Sequence, residues 1–104
     1  MALINALLHY RDEGLIKSFD MHDDKKATVC LSCGHHIVVY MSTDYIIGSA
    51  EISEAAESPH ANYVVYNNWD TVTKSAFEEA RRLGIDVHKF GAFGYRLEKL
   101  NAEN

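Results

Sequence analysis

Hydrophobic and polar positions along the chain change period several times, and each change marks an element. In "ALINALLHYRDEG" the apolar residues Leu3, Ile4, Leu7, Leu8 and Tyr10 recur near helical spacing, and Gly14 stands where a helix C-terminus is closed. This predicts a helix over 2–13. "LIKSFDM" is short and mixed and reads as a strand, and "DMHDDKK" as a polar turn. "ATVCLSC" alternates and is rich in strand formers, "GH" is a turn, and "HIVVYMS" is apolar on both faces, as a central strand is.

The middle of the chain carries two competing patterns. In "STDYIIGSAEISEAAESPH", Ser42, Thr43 and Asp44 resemble a helix N-cap, and Ile46, Ile47, Ala50, Ala55 and Ala56 fit one helical face. Gly48 weakens that helix by about 1 kcal/mol relative to alanine, and a strand over 45–52 is the alternative. The last third is clearer. "NYVVYN" is a buried strand. "DTVTKSAFEEARRLG" is an amphipathic helix with Asp70 as N-cap, Gly84 as closing residue, Glu78 and Arg82 as an i,i+4 pair, and Ala76, Phe77, Ala80 and Leu83 facing inward. "IDVHKF" is a strand that follows a strand and a helix, so a parallel βαβ crossover is expected. "GAFGYRLEKL" reads as a short closing helix with Phe93, Leu97 and Leu100 inward. The expectation is one domain over 1–104 of class α/β, a mixed central sheet flanked by helices in the order α-β-β-β-α-β-α-β.

Composition changes this picture little: 47% of residues are hydrophobic and 24% charged, an ordinary globular balance. No apolar run reaches membrane-spanning length, and the N-terminus lacks the early positive charge and cleavage site of a signal peptide, so a cytoplasmic protein with reduced thiols is expected. Charge matters more. The net charge is −5, acidic residues outnumber basic ones in both halves, and no lysine or arginine occurs from residue 27 to residue 73. Such a surface does not attract phosphate backbones by net field, whereas it suits a protein partner.

The element order resembles the restriction-endonuclease-like superfamily, the nucleases with a PD…(D/E)xK motif. "HHIVVYMST" sits where those enzymes have the strand carrying (D/E)xK, and "NYVVYNNWDTVTKSAFEEARRLGIDVHKF" is similar to their later strand, helix and strand. The similarity covers about two-thirds of the chain, from residue 36 onward. Chemistry of that family needs two carboxylates on a divalent metal and a lysine that positions water. The resemblance puts the acid near Val39 and the lysine near Met41, and neither residue serves. Asp20, Asp23 and Asp24 lie upstream in a polar turn. The resemblance therefore implies a nuclease-like scaffold with a degenerate site.

"CLSCGHH" has the CxxC spacing of a zinc knuckle, but structural zinc needs four ligands. His22, His35, His36, His60 and His88 complete a set only if the fold gathers them. The same residues fit a hairpin, with Val29, Leu31 and Cys33 on one face and Cys30 on the other, and we read a turn rather than a knuckle, with no metal and no cofactor. Cys33 beside His35 is a weak nucleophile pair, because a catalytic histidine usually arrives from elsewhere in the fold. "GAFG" lacks the context and the lysine of a phosphate loop. Lys74, Arg81 and Arg82 read as a solvated helix face. "YVVYNNW" puts Tyr63, Tyr66, Asn67, Asn68 and Trp69 at the carboxyl end of a parallel strand, where ligand sites of open α/β sheets collect. Tyr66, Asn68 and Trp69 are the expected binding residues. The expected function is a non-catalytic interaction protein that binds a protein partner, with nucleic-acid machinery a possible setting. The alternatives are a metal-dependent nuclease with ligands relocated to Glu13, Asp23, Asp24, Asp44 or Glu51, and a small acidic inhibitor or immunity protein.

Overall fold

The computed structural model describes residues 2–103. Helix α1 (Leu3–Asp12) leads into an antiparallel meander of β1 (Ile16–Met21), β2 (Lys26–Leu31) and β3 (His36–Met41). The two-residue strand β4 (Ile46–Ile47), α2 (Ser49–Ala56) and β5 (Tyr63–Tyr66) follow. Then come a second short strand β6 (Thr71–Val72), α3 (Lys74–Leu83), β7 (Asp86–Lys89) and α4 (Phe90–Glu103). The main sheet has five strands in the order β1-β2-β3-β5-β7, with β5 parallel to β3 and β7 parallel to β5. Strands β4 and β6 pair in parallel outside it. The described residues form an α/β domain with a mixed five-stranded sheet and four helices.

Strand period explains the layering. Ala27, Val29 and Leu31 of β2 and Ile37, Val39 and Met41 of β3 face one side, where Leu3, Ala6, Leu7 and Tyr10 of α1 and Phe93, Leu97 and Leu100 of α4 cover them. Tyr40 and Val64 face the other side and meet Ile52 and Ala55 of α2 and Ala76 and Ala80 of α3. Strand β3 is third of five, so both its faces are covered, which is why its sequence is apolar throughout.

The turn after β2 is set by two backbone bonds: Leu31 N donates to His35 O at 2.7 Å and Gly34 N donates to Leu31 O at 2.8 Å. Gly34 has φ +96°, a left-handed conformation that other residues rarely adopt. Strand β2 ends at Leu31, so Cys33 lies in the turn rather than in the strand. It still packs with the α1/α4 side, as its alternation predicts.

Four expectations are corrected. The helix read from the Ser42–Asp44 cap begins instead at Ser49: Ile46 and Ile47 form β4, and the Glu51 carboxylate accepts from Gly48 N at 2.8 Å and fixes the new start. Helix α3 begins at Lys74, not after Asp70. Thr73 is its N-cap and accepts from Ala76 N at 3.1 Å, because residues 71–72 are held extended by β4. Phe77 is 42% exposed, since the small Ala76 and Ala80 bring the helix close to the sheet and leave no room for a ring between them. Arg82 pairs with Glu79 at i,i+3 rather than with Glu78 at i,i+4. At the other end of α3, Gly84 takes φ +72° and its N–H bonds back to Ala80 and Arg81, as expected of a closing glycine.

Candidate functional site

The carboxyl ends of β3, β5 and β7 share one edge of the sheet, because Met41 is in register with Val65 and Tyr66 with Lys89. After β5 the chain turns sharply. Asp70 N donates to Asn67 O at 3.0 Å, and Asn67 Nδ2 donates to a carboxylate oxygen of Asp70 at 3.0 Å. Both side chains are buried, so this pair closes the loop from inside. Asp70 thus serves the loop, which is why it does not cap α3. The closure throws Asn68 and Trp69 outward, and Trp69 is 75% exposed. Asn68 Oδ1 accepts from Gly91 N at 3.4 Å, tying the loop to the first turn of α4. Tyr66 is half-buried against the α2/α3 core and its hydroxyl pKa is pushed up by burial, so it supports the loop more than it presents a ring.

The short second sheet brings two further residues to this edge. Thr71 N donates to Tyr45 O and Thr73 N donates to Ile47 O, both at 2.9 Å. Tyr45 and Ile46 are therefore held beside Thr71, two residues from Trp69, and they are 77% and 61% exposed. The sequence signal for them is the apolar run Tyr45, Ile46 and Ile47 between a polar triplet and Gly48, of which Ile46 and Ile47 also fit a helical face. Their exposure depends on β6, a strand of two residues that no pattern announces.

The positions considered for nuclease chemistry lie elsewhere. Val39 and Met41 are buried in the α1/α4 core. Glu13 follows α1, Asp23 and Asp24 occupy the β1–β2 turn, Asp44 follows β3, and Glu51 is engaged at the start of α2. Asp23 accepts from the backbone N–H groups of Lys25 and Lys26, an ordinary turn role. Among the described residues no three His, Cys, Asp or Glu side chains are grouped to hold a metal ion. The residues present thus do not fit the metal that the resemblance would imply. Lys26 is buried, donates its ammonium to Glu54 O at 3.2 Å and Glu57 O at 2.6 Å, and closes α2. Cys30 and Cys33 are free thiols on opposite faces of the hairpin, and Cys33 N donates to Asn101 Oδ1 at 3.0 Å. Lys74, Arg81 and Arg82 line the outer side of α3, with Arg82 paired to Glu79.

Among the described residues no helix is long and apolar enough to cross a membrane. Comparison of the chain with family models, with curated proteins and with solved structures gives no match.

Proposed function

We propose that this chain is a non-catalytic recognition domain that binds a protein partner through the edge formed by Trp69, Asn68, Tyr45 and Ile46, with Tyr66 beneath. The observation that carries this reading is the exposure of Tyr45, Ile46 and Trp69 along one edge, on segments pinned by backbone hydrogen bonds. Large exposed apolar side chains grouped in this way mark interaction surfaces. Tyr and Trp anchor interfaces well because they bury much area for little conformational entropy. The residues named for the edge all lie within the stretch from 27 to 73 that contains no lysine or arginine, with Lys89 beside Tyr66 at the end of β7. A phosphate-binding surface needs such residues, so a protein partner is the better fit. What supports a nuclease-like scaffold is the element order alone: one helix, an antiparallel meander, then parallel strands joined by helices.

The test replaces Trp69 by a photo-crosslinking amino acid in the source cells, with the same replacement at the exposed Lys17 as control. A single protein crosslinked from position 69 and not from 17, and no longer bound by folded Trp69→Ala or Tyr45→Ala chains, is the expected result. Equal binding by wild type and both variants overturns the reading.

A further inference from the structure

A second surface has different chemistry. Helices α1 and α4 do not close fully over one another near the start of α4, and a groove of about 220 Å³ remains between them. That volume suits a small head group rather than a whole nucleotide or drug-sized ligand. Its walls are aromatic. Phe90 stacks on Tyr10 with ring centroids 5.0 Å apart, and the His9 ring lies 5.3 Å from Phe90. The Tyr10 hydroxyl donates to Phe90 O at 2.6 Å, which fixes this wall in place. Tyr95 completes the lining and is 76% exposed. Glu13 and Glu98 bring two carboxylates, and no lysine or arginine lines the groove. His9 is paired with Glu13. Even with His9 protonated, one carboxylate remains in excess.

The floor includes Gly94, and this glycine has no conformational or steric reason to be there. It lies inside a 14-residue helix, and its φ is not positive. A Cβ added to it would meet Tyr10 Cε1 at 3.8 Å and Leu15 Cδ1 at 4.0 Å, ordinary contacts. Alanine would fit and would favour the helix. What alanine would remove is the groove floor, because its methyl would point at two groove-lining residues, Tyr10 and Leu15.

We propose that the groove between α1 and α4 is a binding site for an organic cation, an alkylammonium or guanidinium group, walled by Tyr95, Phe90 and His9 and neutralised by Glu13 and Glu98. Aromatic faces attract such cations through the ring quadrupole, and the carboxylates add the opposite charge. The cation is either a free small molecule or an arginine or lysine side chain of a bound protein. The groove adjoins the Trp69 loop through the Asn68–Gly91 hydrogen bond. The proposal goes beyond the Trp69 edge, and its test uses only the isolated chain, so it is decided independently of any partner.

The experiment titrates the chain with choline, ethylguanidinium and the neutral choline isostere 3,3-dimethylbutan-1-ol at constant ionic strength, read by the amide NMR shifts of His9, Gly91 and Gly94. Both cations are expected to shift these amides with dissociation constants of about millimolar order, and the neutral isostere to bind at least about tenfold more weakly. Gly94→Ala, Tyr95→Ala and Glu98→Gln should each weaken the cations about three- to tenfold. Gly94→Ala should do so while unfolding at the same or higher temperature, which separates loss of the groove from loss of the fold. A glycine-serine peptide with one arginine that binds about tenfold tighter than ethylguanidinium identifies a partner side chain as the source. Equal affinity identifies a free cation. Absence of shifts at these amides, equal binding of the neutral isostere, or unchanged binding in all three variants overturns the proposal.

Discussion

Phe93 and Phe77 carry the same side chain and occupy opposite situations. Phe93 is fully buried, with the rings of Tyr10, Tyr63 and His88 within 6 Å of its own. Phe93→Ala should cost about 3–5 kcal/mol in urea unfolding, whereas Phe77→Ala, half in solvent already, should cost less than about 1.5 kcal/mol. The helical pattern put both inward. It failed for Phe77 because a face made of alanines packs too closely to admit a ring, and only the facing sheet reveals that. His88 gives a pH dependence. Burial lowers its pKa, Arg96 lowers it further and Asp86 partly opposes, and its Nε2 is buried without a partner. The folded chain thus disfavours the protonated ring, so the unfolded chain binds more protons. Stability is fully present above the ordinary imidazole value of about 6.5 and falls as pH drops from there toward the lowered folded value. Urea midpoints measured from neutral to mildly acid pH should show this fall, and His88→Phe should flatten it. An unchanged slope in the variant would show that other groups cause it.

At the scale of elements, α2 shows how one segment completes another. It spans 49–56 and has no basic residue in its last turn, where Glu54 O accepts from Glu57 N at 3.2 Å and Ala55 O from Ala61 N at 2.9 Å. Lys26, distant in sequence, supplies both hydrogen bonds and positive charge at the negative end of the helix dipole. Lys26→Met keeps the stem and removes the ammonium. It should cost about 1–3 kcal/mol by chemical denaturation and speed amide hydrogen exchange in the last turn of α2. A variant as stable as wild type would mean that water satisfies these carbonyls. The β4–β6 pair is the second case. Strands of two residues lie below what periodicity resolves, since alternation needs about four residues to be seen. The main elements were legible by other signals: α4 repeats a helical period over 14 residues, and β3 and β5 are short runs of strand formers.

At the scale of the molecule, the main five-stranded sheet carries a core on each face, α1 and α4 on one and α2 and α3 on the other. Both cores share the strands between them, so they should unfold together. Phe93→Ala on one face and Ile52→Ala on the other should each shift the same single urea transition, and two separated transitions in either variant would show that the faces are independent units. By itself the sequence determined what depends on local repetition and on composition: helices α1, α3 and α4 and the main strands, the mixed α/β class, the hairpin at Cys30–Cys33, and the acidic charge. Tertiary structure alone decided what depends on which segments meet. It moved the start of α3 to Lys74 by pairing residues 71–72 with β4. It turned Ile46 outward beside the Trp69 loop, and it opened a cation-sized groove where Gly94 passes Tyr10. Those are contacts between residues far apart in the chain, and a pattern read over a few neighbouring positions contains no record of them.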